Sequence, residues 1–243
     1  MTRASSILIF VAAALNWGAI RAGEPILVPV KIDGPVHDPA RHSYWFGPFS
    51  ECCSVADFDG DGDDDILVNH WAPVPGQGMT WIEHVDQAPW LVEHVIGTDG
   101  EHHGNGLGDI NGDGRNDIVT PRGWYEAPAD PRRGQWIFHA DYLVHRVGQP
   151  EQPIAASHPM LVYDVNGDKR ADIIVGASHE YGLAWLEQKV AADGKRTFET
   201  HWAETDFGQF HTMALGDLNG DGQPDLVSGK RLFAHHGRDT SCY

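Results

Sequence analysis

Cysteine is scarce in this chain. There are three in 243 residues: Cys52, Cys53 and Cys242. Two adjacent thiols and one distant one make no disulfide framework. CxxC spacing is absent, so Cys52 and Cys53 read as buried thiols of an inner strand, with a Cys–His metal site as the alternative. Basic residues are few too, 17 Lys and Arg against 35 Asp and Glu, for a net charge of −18. That balance argues against nucleic-acid binding, which needs a basic footprint. No H-E-x-x-H, G-x-S-x-G, Rossmann or P-loop motif occurs, so no reaction is fixed by motif. No apolar run is long enough to span a bilayer. The run Ile7 to Leu15 follows the basic Arg3 and precedes the small residues Ala19, Ala22 and Gly23. This is the pattern of a secretory signal peptide over residues 1–22, with an uncleaved anchor as the alternative. The expected mature protein has no membrane span and is exported: secreted, periplasmic or held at the cell surface.

What the chain does have is one acidic loop written four times. The copies are Asp57 to Asp65, Asp109 to Asp117, Asp164 to Asp172 and Asp217 to Asp225. Oxygen side chains stand at loop positions 1, 3, 5 and 9: Asp57, Asp59, Asp61, Asp65; Asp109, Asn111, Asp113, Asp117; Asp164, Asn166, Asp168, Asp172; Asp217, Asn219, Asp221, Asp225. A hard cation such as calcium takes six to eight oxygens, and a tight loop delivers them at odd positions. Position 7 (Asp63, Arg115, Arg170, Gln223) would add a backbone carbonyl, so its side chain is free to vary. Position 6 is Gly62, Gly114 and Gly222, which permits a positive-φ turn. The third loop has Lys169 there and is expected to be the weakest site.

The first aspartates are spaced by 52, 55 and 53 residues. A period of this size marks a repeat architecture and fits one four-stranded propeller blade. An EF-hand is excluded. Its twelfth loop position needs a bidentate Glu, and here it is Val68, Thr120, Val175 and Ser228. Each loop also leads into a β-rich run, such as Ile66-Leu67-Val68 or Ile173-Ile174-Val175. The unit resembles the FG-GAP/VCBS repeat of secreted and cell-surface β-propellers. Phe207-Gly208 stands ahead of the fourth loop, where that family's Phe-Gly lies. The resemblance covers about residues 45–237 and implies an all-β propeller with calcium in its loops. Activity is left open, because the family spans adhesion, carbohydrate binding and a few enzymes.

Each unit is expected to have the same plan. A short inner strand enters the loop and a second leaves it. A third carries an aromatic and a Glu (Trp81 to Glu83, Trp124 to Glu126, Trp185 to Glu187). A fourth is aromatic or aliphatic (Trp90 to Val95, Trp136 to Leu143, Phe198 to Trp202). The tryptophans are expected as core between blades. The expected architecture is a β-propeller of four such blades over residues 24–237, followed by a tail, 238–243. It is a small closed ring or an arc of a truncated larger one. Ile26 to Ile32 is the candidate strand to complete the last blade.

Histidine is abundant, with fifteen residues. Six positions before each loop stand Glu51, His103, His158 and His211. The strands leaving the loops end near His70, Arg122, His179 with Glu180, and Lys230 with Arg231. These ends are expected to converge on the face away from the loops. The site candidates are therefore His103, His158, His211, His179, Arg122 and Lys230. They would bind an extracellular carbohydrate or protein, or hold a second divalent metal beside the calcium; the bland alternative is packing within each blade. The tail Lys230 to Asp239 is similar to segments of secreted bacterial propellers related to that of aldos-2-ulose dehydratase. That similarity implies a metal-dependent sugar lyase or dehydratase as the alternative function. The cupin domains of that enzyme have no counterpart in these residues. A further alternative is a fragment of a longer VCBS-repeat protein.

Overall fold

Among the described residues, β-branched and aliphatic runs bounded by Asp/Gly turns form antiparallel strands. The computed structural model describes residues 8–11, 28–31, 50–70, 79–86, 91–97 and 103–230. Two compact units result, Met1–Ser50 and Glu51–Tyr243. In the first, β1 (Leu8–Val11) pairs with β2 (Val28–Lys31). The segment expected to complete the last blade is thus paired locally, two apolar runs satisfying each other's backbone groups. Among the described residues, no helix is long and apolar enough to cross a membrane.

The second unit carries the repeats. The first sheet runs β3 (Ser50–Ala56), β4 (Asp65–His70), β5 (Met79–His84), β6 (Leu91–Gly97). The second runs β7 (Gly106–Gly108), β8 (Asp117–Thr120), β9 (Gly123–Glu126), β10 (Ile137–His139). A hairpin follows that sequence reasoning did not foresee, β11 (His145–Arg146) with β12 (Gln149–Pro153). The third sheet runs β13 (Leu161–Tyr163), β14 (Asp172–Gly176), β15 (Tyr181–Val190), β16 (Arg196–Gly208). The fourth is described as two strands, β17 (Phe210–Gly216) and β18 (Asp225–Lys230). Each sheet meanders in chain order, as propeller blades do.

The core lies between sheets, and strand alternation puts it there. On β8, Ile118 enters a cluster with Leu67, Met79 and Trp81 of the first sheet, while Val119 enters one with Ile173, Val175 and Leu186 of the third. On β9, Trp124 and Tyr125 divide the same way. The second sheet is therefore buried on both faces. Trp81, Trp124 and Trp136 are core, whereas Trp185 and Trp202 are half-buried. In the fourth sheet Leu226 and Val227 are exposed, although their third-sheet equivalents Ile173 and Ile174 are buried. Strands of neighbouring sheets pack closely, β7 on β13 and β14 on β17. Gly106 shows how closely: a Cβ there would stand 1.9 Å from the Met160 carbonyl oxygen.

Candidate functional site

The four loops share one hydrogen-bond scheme. The first aspartate accepts the amides of positions 4 and 6. These are Gly60 and Gly62 on Asp57 (2.7 and 3.0 Å), Gly112 and Gly114 on Asp109 (2.7 and 2.8 Å), Gly167 and Lys169 on Asp164 (2.8 and 2.9 Å), and Gly220 and Gly222 on Asp217 (2.7 and 2.9 Å). Position 3 accepts from the amide of position 5, and position 5 from that of position 7. These bonds curl the chain so that the acidic side chains face inward. In the first loop, oxygens of Asp57, Asp59 and Asp61 lie within 4.8 Å of one another. Lys169 adopts φ 68°, close to the values at Gly62, Gly114 and Gly222, so the third loop keeps its shape at the cost of local strain.

Position 9 ties the first three loops to their sheets. Asp117 accepts the amides of Ile110 and Ala127, both at 2.9 Å, and Asp172 those of Val165 and Gln188 at 3.0 and 2.9 Å. Asp65, Asp117 and Asp172 are buried. Burial raises all three carboxyls above the ordinary range, Asp117 to about 6. Arginines answer part of the negative charge. Arg115 and Arg170 fold back onto Asp113 and Asp168 of their own loops. Arg132, from the second repeat, reaches the first loop and contacts Asp59, Asp61 (3.1 Å) and Glu83 (2.6 Å).

At the opposite end of the sheets, three histidines from three repeats come together. Ligating nitrogens of His103, His179 and His211 lie within 4.8 Å of one another. Their ring centroids are 5.0, 5.2 and 6.0 Å apart. The backbone stitches the segments that carry them. Ala156 donates to the His103 carbonyl (3.0 Å), Ser178 to Ala155 (2.7 Å), Phe210 to Ala177 (2.9 Å) and His158 to His211 (3.0 Å). Gly208 is the glycine of the Phe-Gly pair, and a Cβ there would stand 2.0 Å from the Glu180 carbonyl oxygen. It lets the turn bearing His179 and Glu180 press against the end of β16. A cavity of about 280 Å³ opens beside the cluster, lined by His103, His179, Glu180, Arg146, Gln152, Pro153 and Ala155. Glu180 is held there by Arg146 (3.0 Å) and by the Ala155 amide (3.1 Å).

The structure therefore brings His103, His179 and His211 together. The His158 ring stays outside that trio, although its amide bonds His211. Arg122 is exposed and does not line the cavity. The side chains of Glu51, His70 and Lys230 lie outside the described residues; the Lys230 backbone pairs with Phe210, next to His211. Arg146, Gln152 and Pro153 were not foreseen, because they belong to the β11–β12 hairpin.

Sequence reasoning also missed a second histidine set. His94, His139 and His201 stack on Trp81, Trp124 and Trp185 directly across the strand pair, with centroids 4.3, 4.3 and 4.6 Å apart. Each Nε2 meets a Glu of the same sheet: Glu83 at 2.6 Å, Glu126 at 2.8 Å and Glu187 at 2.8 Å.

The third and fourth loops and the strands between them form one full period of this pattern. Residues 164–228 match the FG-GAP-like repeat family. The FG-GAP-like stretch begins at the first aspartate of the third loop and ends in β18, so it spans two acidic loops. The two earlier loops repeat its hydrogen-bond scheme outside the matched residues. No curated protein matches the chain.

Proposed function

We propose that this chain is an exported, calcium-stiffened propeller protein that binds an extracellular ligand, a carbohydrate or a protein, through its histidine-rich end. The convergence of His103, His179 and His211 beside a cavity carries this reading. Side chains from three repeats meet there, at the end of the sheets away from the loops, and ligand sites favour such convergent polar groups in a concavity. Imidazole, guanidinium and carboxylate around one opening suit the hydroxyls of a sugar or the polar groups of a peptide.

The loops fit calcium on chemistry. Their donors are all oxygen, held in a tight turn, and burial alone disfavours the charge on Asp65, Asp117 and Asp172. A divalent cation offsets that penalty. Calcium would be held by positions 1, 3, 5 and 9 of each loop, and its role here is to stiffen the scaffold.

The test is capture on glycan and extracellular-protein arrays by the chain in calcium. Binding is expected for the wild type and is lost in His103→Ala with little change in melting temperature. Equal capture by His103→Ala and wild type would move the ligand site elsewhere. Turnover of a captured sugar would favour the lyase or dehydratase alternative.

A further inference from the structure

We propose that His103, His179 and His211 form a three-imidazole site for a d-block cation of the zinc type, with the cavity on its open side. The inference deepens the reading of the histidine-rich end as the working surface, and rests on it.

Ligand type separates this site from the loops. Imidazole nitrogen suits zinc, copper, nickel or iron, whereas calcium takes oxygen. Three histidines with one position left open is a set that zinc uses where it must bind a further ligand. Distance fits as well. Zinc–nitrogen bonds of about 2.0–2.1 Å in tetrahedral geometry put ligand nitrogens roughly 3.3 Å apart. The present separations, all within 4.8 Å, need only a small inward movement of the rings.

The tautomer of one ring is set by its surroundings. His103 Nδ1 lies 2.6 Å from the Ala156 carbonyl oxygen. A carbonyl only accepts, so Nδ1 carries the proton, and in the neutral ring Nε2 keeps its lone pair. A metal-ligating histidine is commonly oriented by such a bond from its other nitrogen. The Ala156 carbonyl is itself held, since it also accepts the Ser178 hydroxyl at 2.8 Å. Ser178 directly precedes His179, so one carbonyl braces two of the three ligating segments. The third is fixed by Phe210 on Ala177 and by His158 on His211.

Glu180 is not a ligand in this arrangement. Its carboxylate is engaged by Arg146 and the Ala155 amide at the cavity wall. It stands where it can accept a hydrogen bond from a molecule bound on the metal's open side.

The test uses the full exported chain in excess calcium, cleared of zinc with a zinc-selective chelator. Zinc is then titrated by calorimetry, and cobalt(II) serves as the spectroscopic probe. Uptake of one equivalent is expected, with cobalt showing the intense visible bands of four-coordinate geometry. His179→Ala and His211→Ala are each expected to weaken zinc at least a hundredfold while the calcium-dependent melt is kept, and His179→Gln guards against loss of fold. Arg122→Ala, exposed and away from the cluster, should bind zinc as wild type does. Failure of the folded wild type to take up zinc, or undiminished binding in both histidine variants, overturns the site. Zinc uptake with no array ligand captured keeps the metal site and removes the ligand-binding reading. Capture by a protein that takes up no zinc does the reverse.

Discussion

Two residues show how a single side chain sets the quality of a loop or a sheet. Lys169 holds φ 68° where three sister loops have glycine. A side chain in that region costs about 1 kcal/mol. Lys169→Gly is therefore expected to raise stability by about 1 kcal/mol in urea unfolding. It should also tighten calcium at the third loop, because an ammonium leaves the ion's neighbourhood. Asp164→Ala should accordingly cost less calcium affinity than Asp109→Ala, and equal losses would contradict this account. His94 has a different task. It stacks on buried Trp81 and bonds Glu83, itself nearly buried. Losing an aromatic pair and a charge-assisted bond costs about 2 kcal/mol together. His94→Ala should lower the melting temperature and leave zinc and ligand binding untouched, the opposite of His211→Ala. A zinc defect in His94→Ala would break the division of the histidines into two sets.

At the scale of elements, neighbouring repeats are locked by arms that reach into the previous loop. Arg132 touches Asp59, Asp61 and Glu83; Gln188 donates to the Ile110 carbonyl at 3.0 Å and Arg196 to that of Asn111 at 3.1 Å. Arg132→Ala leaves the carboxylates of Asp59 and Glu83, only 1% and 6% exposed, without their cation. A cost of about 2 kcal/mol is expected, below that of a fully buried pair because Arg132 is 39% exposed. Calcium in the first loop would compensate Asp59 and Asp61, so the loss should be larger in chelator than in calcium. Equal losses in both would uncouple Arg132 from the loop. These arms were not legible from the chain, whereas the repeats they join were. Strands leaving the loops could be read because Ile66-Leu67-Val68 and its copies follow a fixed nine-residue turn. His103 and His211 could be read because they stand six residues before their loops, a phase that His158 shares without joining the trio, and His179 because it follows a strand leaving a loop. The stacked histidines could not, because His94, His139 and His201 follow their glutamates by 11, 13 and 14 residues. Variable hairpin length hides their phase. Arg132 and the β11–β12 hairpin were hidden for a related reason, since they sit in irregular excursions between repeats.

For the whole molecule the decisive quantity is charge. The net charge is −18, and fifteen of the 35 acidic residues sit in the four loops. Arginines meet only part of that, and the fourth loop has Gln223 where the second and third have Arg115 and Arg170. Without cations the loops hold like charges together at one end of every sheet, which opposes the compact state. A ligand at about one hundred times its dissociation constant adds about 2.7 kcal/mol per site. Four calcium-filled loops would thus approach the stability of an ordinary domain. The sheets share interfacial cores, with Ile118 on one side of β8 and Val119 on the other. A loosened loop therefore weakens its neighbours as well. For a chain of this size 1 kcal/mol moves the melting temperature by roughly 2–4 °C. EDTA is expected to lower it by ten degrees or more, measured by calorimetry or far-UV circular dichroism. Added sodium chloride should restore part of the loss in chelator, since screening at about 1 M shortens the reach of the repulsion to about 3 Å. Calcium returned in millimolar amounts should restore all of it, and magnesium much less, because a smaller ion demands a stricter octahedron. A melting temperature that ignores EDTA would remove calcium from the account of this fold.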